Sequence, residues 1–233
     1  MIKNLCLCVA ALLWAGISYG QSAKRLFANT ESIILKYKAD CNKAWDAGNE
    51  KLANTYYDSI NACIVGSYVG SHKFKTVDNK LITIAAQKPV MVTVSASWCA
   101  PCRAEIPALN KIVEEYKDKV DFVVLFWNDA LRTKQLASLY SKSVFVVPSA
   151  IQVEGDESHK ISIAGFNHFM GYPANYMINT SRKIVRYETG AQVATSFQGP
   201  DGKMVTITEE QADNFNYKRL KESVEFLLTN KGK

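Results

Sequence analysis

The stretch that most restricts what this chain can fold into is Ser95-Ala96-Ser97-Trp98-Cys99-Ala100-Pro101-Cys102. Two cysteines separated by Ala-Pro follow the apolar β-type run Val90-Met91-Val92-Thr93-Val94. They precede a helical pattern with Ile106, Leu109, Ile112, Val113 and Tyr116 on one face. The C-x-x-C thus stands where a strand gives way to a helix. A thiol at a helix start lies beside unpaired backbone N–H groups and the positive end of the helix dipole, and both favour thiolate over thiol. Cys99 is therefore placed to be nucleophilic at neutral pH. Cys102, one turn on, is near enough to attack a mixed disulfide formed by Cys99, so the pair can pass two electrons.

A chain of 233 residues that is 48% hydrophobic can build one substantial core, with room for a small appendage. Its formal charge of +6 is spread along the sequence without a dense Lys/Arg run, which speaks for a solvated, mildly basic surface and against a nucleic-acid partner. Residues 1–20 read as a secretory signal. Lys3 supplies the positive start, Leu5 to Ile17 the apolar stretch, and Ser18-Tyr19-Gly20 the small residues before cleavage, so the mature chain is expected to begin at Gln21. Export, with the periplasm as the expected compartment, makes disulfides permissible. Cys6 and Cys8 leave with the signal, and Cys41, Cys63, Cys99 and Cys102 stay.

Residues 21–65 form a helical segment and residues 66–233 the main domain. The helical pattern breaks at Asp46-Ala47-Gly48-Asn49, between a helix carrying Ile33, Ile34, Tyr37, Cys41 and Trp45 and one carrying Leu52, Tyr56, Ile60 and Cys63. In a hairpin folded at Gly48, Cys41 lies across from about Thr55. Cys63 is then offset by about 12 Å along the axis, against a limit of roughly 7 Å between bridged Cα atoms. A Cys41–Cys63 structural disulfide needs the second helix to end early, and two buried thiols are the alternative. Beyond the Gly66 to Gly70 linker, Lys73 to Val77 and Lys80 to Ile84 read as a hairpin. Val120 to Trp127 is a buried strand, Leu131 to Tyr140 a helix, and Val144 to Val147 a short strand. The strand-helix-strand order implies a right-handed crossover and parallel pairing. Glu154 to Lys160 reads as a polar loop. Gly171-Tyr172-Pro173 feeds a strand that pairs antiparallel with Lys183 to Tyr187, and Gly199-Pro200-Asp201-Gly202 marks a further loop. A last helix opens at Thr208, with Gln211 placed to close a capping box.

Trp98-Cys99-Ala100-Pro101-Cys102 at the first strand-helix junction, with Gly-Tyr-Pro before a late strand, resembles the thioredoxin fold and more narrowly the exported TlpA/ResA-like thiol-disulfide oxidoreductases. The resemblance covers roughly Gly66 to Gly190. It implies an α/β thioredoxin-like domain, a central mixed sheet flanked by helices, here preceded by a small N-terminal helical hairpin. It also implies that Cys99 and Cys102 are the catalytic pair, that Pro173 is cis and faces them, and that the Tyr172 backbone turns toward bound peptide. Glu105 matches a glutamate beside the active site that influences proton traffic at the buried thiol, and Gly190 matches a glycine that leaves room for a partner. Trp98 and Pro101 complete the supporting set. Two departures stand out. The buried aspartate of thioredoxins proper is replaced by Thr93, and an aromatic four residues before the first cysteine by Ser95; Glu188 offers no obvious substitute for the missing proton relay.

The expected chemistry is reduction of protein disulfides, because Ala100-Pro101 lacks the histidine of strongly oxidising relatives. A disulfide oxidase or isomerase is the alternative within the same chemistry. A metal-binding or non-catalytic interaction protein ranks lower, since His72, His159 and His168 do not supply a second close ligand pair. No cofactor is expected. The partners are protein disulfides and a membrane thiol-disulfide reductase that returns electrons.

Overall fold

The computed structural model describes residues 24–85, 87–149, 160–230 and 232. The leader expected over residues 1–20 and the loop expected from Glu154, apart from Lys160, lie outside them. A short 3-10 turn, Phe27–Thr30, leads into two helices, α1 (Glu31–Asp46) and α2 (Glu50–Ile64), separated at Gly48 as the pattern required. Asn49 caps α2, its side chain accepting the Leu52 N–H at 3.1 Å.

Next come the hairpin β1 (Lys73–Lys75) and β2 (Leu81–Thr83), then β3 (Val90–Ser95), α3 (Ala100–Tyr116), β4 (Asp121–Phe126), α4 (Ala130–Ala137) and β5 (Val144–Val147). After the undescribed stretch, β6 (Ile161–Ile163) and β7 (Phe166–His168) form a hairpin with no counterpart in the sequence reading. β8 (Ala174–Ile178) and β9 (Ile184–Thr189) follow. The Gly199 to Gly202 loop is the turn of another unexpected hairpin, β10 (Thr195–Gln198) with β11 (Met204–Ile207). Ile161-Ser162-Ile163 alternates over three residues only, and Thr195 to Gln198 is polar at three of its four positions. The last helix is α5 (Glu209–Thr229), opened by the expected Thr208/Gln211 capping box.

The central sheet runs in the order β5-β4-β3-β8-β9. Strands β3, β4 and β5 are parallel, as the crossover rule demands, while β8 is antiparallel to β3 and β9 to β8. Because β3 is buried along its whole length, its alternating residues feed two different cores. Val90, Val92 and Val94 pack with Ile34 of α1 and Ile60 and Ile64 of α2. Met91, on the other face, packs with Ile106, Leu109 and Ile112 of α3 and Leu220, Val224 and Leu227 of α5. The N-terminal hairpin is thus a layer of the fold. Its connection to the sheet continues in the linker, where Gly66 N–H donates to Ile184 C=O and Ile184 N–H to Ser67 C=O, both at 2.8 Å. Helices on both faces leave the carboxyl ends of the parallel strands as the edge at which chemistry can be exposed.

Candidate active site

Strands β3 and β4 end side by side, and the loop leaving β3 is clamped to the end of β4. Trp127 N–H donates to Ser95 C=O at 2.9 Å, Ser97 N–H to Asn128 Oδ1 at 2.7 Å, and Asn128 Nδ2 to Ser97 Oγ at 2.9 Å. Helix α3 begins three residues beyond this clamp, with Cys99 as its N-cap and Pro101 in its first turn, where the missing N–H costs no helical bond. The Cys99 Sγ accepts the Cys102 N–H at 3.1 Å, so the sulfur sits among the helix's unpaired donors, as expected from its position. Cys99 and Cys102 are joined by a disulfide, Cα to Cα 5.3 Å, and each is only 4% exposed.

Three aromatic residues surround this pair. Trp127 and Tyr172 pack on Cys99, Cys102 and Ala96. Trp98 stands edge-on to both, 5.9 Å from Trp127 and 5.2 Å from Tyr172 between ring centroids, and at 46% exposed it presents a broad apolar face to solvent. The Tyr172-Pro173 peptide is cis. Pro173 C=O accepts the Gly190 N–H at 2.8 Å, and Gly190 has φ +78° with open space where a Cβ would project. Behind Tyr172 lies His168, fully buried, its ring 5.1 Å from the phenol ring and its Nδ1 2.7 Å from the Tyr176 hydroxyl. Burial pushes His168 down to about 3, so it is neutral.

Glu105 lies one turn beyond Cys102 on the same buried side of α3 and is 2% exposed. Its Oε1 accepts two bonds, from Asn175 Nδ2 at 3.0 Å and from the Arg219 guanidinium at 2.6 Å. The Oδ1 of Asn175 accepts in turn from the Thr93 hydroxyl at 2.7 Å, across the direct β3–β8 pair. Burial raises the Glu105 carboxyl to about 7, and Arg219 and Asn175 offset only part of that rise. A carboxyl that titrates near neutrality, next along the helix from a buried sulfur, can take up and release protons in the range where thiols work.

The structure therefore gathers Trp98, Cys99, Pro101, Cys102, Glu105, Tyr172 and Pro173 at one end of the sheet. Cys41 and Cys63 are elsewhere and unbridged. Cys41 is buried against α2, where its Sγ donates to Ala53 C=O at 3.3 Å, and Cys63 is a half-buried free thiol. Of the two alternatives weighed for them, the structure takes the free thiols; α2 runs to Ile64 and does not end early. Four residues of the site escaped the sequence reading. Asn175 was detectable as the lone amide in an otherwise apolar strand, and Asn128 and Trp127 as polar and aromatic residues at a strand end. Arg219 carries no local signal, being 114 residues from its partner.

With this geometry in hand, the sequence model of the Redoxin family matches residues 65–202. The chain belongs to the Redoxin family. Among curated relatives it is 31% identical over 107 residues to "Thioredoxin-like protein YneN" of Bacillus subtilis, covering 46% of this chain and 59% of that one. It is 40% identical over 42 residues to "Thioredoxin Y1, chloroplastic" of Arabidopsis thaliana, 18% of this chain and 24% of that one. It thus spans less than two thirds of the length of either. Among solved structures it is similar to the exposed lipoprotein thioredoxin Etrx1 of Streptococcus pneumoniae (17% identity, 66% of this chain and 99% of that one, TM-score 0.43). A thiol-disulfide oxidoreductase of Bacteroides fragilis is a second (14% identity, 52% and 89%, TM-score 0.41). The Redoxin match includes both cysteines, Glu105, Tyr172, Pro173 and Asn175, and ends before Arg219.

Proposed function

We propose that this Redoxin-family protein is an exported thiol-disulfide oxidoreductase that reduces disulfides in other proteins through the Cys99/Cys102 dithiol. In the first step the Cys99 thiolate attacks one sulfur of a substrate disulfide. A Cys99–substrate bond forms, the substrate S–S bond breaks, and the departing thiolate takes a proton from water. In the second step the Cys102 thiol loses its proton, with Glu105 as acceptor, and attacks Cys99 Sγ. The internal disulfide forms and the second substrate thiol leaves, so that two electrons pass from the dithiol to the substrate. Trp98 and Tyr172 form the contact surface, and the backbone beside Pro173 pairs with an extended segment of the substrate. A membrane thiol-disulfide reductase restores the dithiol from the periplasmic side.

The observation that carries this reading is the position of the pair. Cys99 caps α3 and already accepts the Cys102 N–H, so the thiolate released by reduction inherits that hydrogen bond and the helix dipole. The test is the equilibrium reduction potential of the pair, read from Trp98 fluorescence in dithiothreitol or glutathione buffers with Cys99→Ser as control. A low, thioredoxin-like potential is expected. A high potential would make the protein an oxidase or isomerase, and no reversible transition would end the redox reading.

A further inference from the structure

The C-terminal helix sends one cation into the redox site. Helix α5 is locked onto α3 by Leu220, Val224 and Leu227 in the shared core. It is locked onto the chain after β9 by Asn216, whose side chain accepts the Gln192 N–H at 2.8 Å and donates to Gln192 C=O at 2.9 Å. From this fixed backbone Arg219 reaches inward. One guanidinium nitrogen lies 2.6 Å from Glu105 Oε1 and another donates to Thr189 C=O at 3.3 Å, and the side chain is only 18% exposed. Asn175, itself held by Thr93, meets the same Oε1 from the sheet side. Helix and sheet thus grip one oxygen of the carboxyl, and neither bond uses Oε2. An ion pair so nearly removed from water is a weak means of adding stability. Its geometry does fix which way the carboxyl points, on the helix that also carries the buried Cys102 one turn away.

We propose that Arg219 is a positioning residue for the resolving step: it favours the ionised form of the Glu105 carboxyl and orients it to take the proton from Cys102 as Cys102 attacks the mixed disulfide. The inference rests on the oxidoreductase reading, and it extends the redox machinery to a helix beyond the Redoxin match, which ends at residue 202. In the step, the Cys102 S–H proton passes to Glu105, the Cys102 sulfur bonds to Cys99 Sγ, and the Cys99–substrate bond breaks with its electron pair leaving on the substrate sulfur. The protonated Glu105 then returns its proton to water. Other groups also face this carboxyl. Glu188 of β9, paired with Arg186 at 2.6 Å, raises its proton affinity, and Tyr140, three residues beyond α4, lies within electrostatic range. Arg219 is the cation that opposes both burial and Glu188.

The experiment mixes the reduced protein with excess glutathione disulfide and follows formation of the Cys99–Cys102 bond by Trp98 fluorescence in stopped flow from pH 5 to 9. Wild type, Arg219→Met, Arg219→Lys, Glu105→Gln and the double variant Glu105→Gln/Arg219→Met are compared. With Glu105 titrating near 7, loss of the cation moves the acid limb of the resolution rate up by about one pH unit and slows resolution at pH 7 about fivefold. Arg219→Lys restores the wild-type limb. In the Glu105→Gln background the arginine substitution shifts nothing further. The double variant leaves no unpaired buried charge, so it keeps the test available if Arg219→Met fails to fold. An Arg219→Met limb that coincides with wild type in a folded protein overturns the proposal, as does an equal shift in the Glu105→Gln background. Wild-type protein that does not react with glutathione disulfide at all would instead overturn the oxidoreductase reading itself.

Discussion

Two places in this molecule hold cysteine sulfur, and they treat it in opposite ways. At the start of α3 the Cys99 sulfur accepts a hydrogen bond from the Cys102 N–H, and the helix presents its positive end. Inside the N-terminal hairpin the Cys41 sulfur donates, to Ala53 C=O, among Ala44, Tyr56 and Tyr57. A donor aimed at sulfur at a helix start stabilises the negative charge of a nucleophilic sulfur, whereas the Cys41 sulfur spends its own S–H on a backbone carbonyl. Reactivity is therefore written in the direction of one hydrogen bond rather than in burial, which both sulfurs share. The largest expected effect breaks this contrast at its strong end. Cys99→Ser abolishes exchange with glutathione disulfide, and Cys102→Ser stalls as a mixed disulfide with one added glutathione by mass spectrometry. Cys41→Ala exchanges at the wild-type rate. Exchange that survives in Cys99→Ser would mean that Cys102 or a hairpin sulfur takes over the attack.

The two regions also differ in buried charge. Around the cysteine pair lie a carboxyl held near 7 and a neutral histidine held near 3, both through burial. Their contributions to stability run in opposite directions. The folded Glu105 binds its proton more tightly than the unfolded chain does, so folding is favoured at low pH, and that advantage is lost as pH rises from about 4.5 through about 7. The folded His168 binds its proton less tightly, so stability is lost as pH falls from about 6.5 toward about 3. Between about pH 4.5 and 6.5 the two slopes offset each other. Glu105→Gln removes only the first, leaving stability that climbs with pH across this window. The difference between the wild-type and variant unfolding free energies should fall by about 3 kcal/mol between pH 4.5 and 7. Urea unfolding at half-unit pH steps reads this directly, and parallel curves for the two proteins would show that Glu105 is not held near 7.

The sequence was most informative where a physical constraint acts over a few residues. The helix start at Cys99, the chain break at Gly48, the all-apolar β3 and the Thr208/Gln211 cap are local, and each stands where the pattern put it. The polar chain behind the cysteines is a different matter. Thr93 looked like the loss of a proton relay. In the folded protein Thr93 instead donates to Asn175, which donates to Glu105, so the position where the resemblance leads one to expect an aspartate is linked to a carboxyl supplied by α3. The members of this polar chain come from β3, β8 and α3, and the arginine that completes it from α5. Only the sheet register and the docking of α5 bring them together, and neither can be read from spacing along the chain. The two short hairpins, β6–β7 and β10–β11, have no counterpart in the sequence pattern although their strands are no shorter than β1 and β2; Thr195 to Gln198 is polar at three of four positions and exposed throughout, so it shows no buried face.

A smaller effect tests the hairpin sulfur as packing. Cys41 is 7% exposed and makes one weak bond, so Cys41→Ala removes a single buried heavy atom and costs about 1 kcal/mol. Equilibrium denaturation should register that loss while the Cys99/Cys102 potential stays unchanged. A moved potential would mean that packing in the hairpin reaches the redox site.

The smallest expected effect separates the regions without touching sulfur. Asn49 caps α2 by accepting the Leu52 N–H at 3.1 Å in an exposed turn, and Asn49→Ala leaves that donor to water. The cost is about 0.5–1 kcal/mol, at the low end of the range for such caps because the site is solvated. The lost stability belongs to the layer formed by α1 and α2, whose Ile34, Ile60 and Ile64 pack against one face of β3, while the cysteines and Glu105 ride on α3 over the other. If the sheet insulates the two faces, the variant unfolds at slightly lower denaturant with the same reduction potential and the same pH limb for resolution. If the hairpin layer instead sets the position of β3, a loss this small would still displace Thr93, loosen Asn175 and move the pH limb. The comparison of potential with stability in this one variant therefore decides whether the added helical layer is a support for the sheet or a participant in its chemistry.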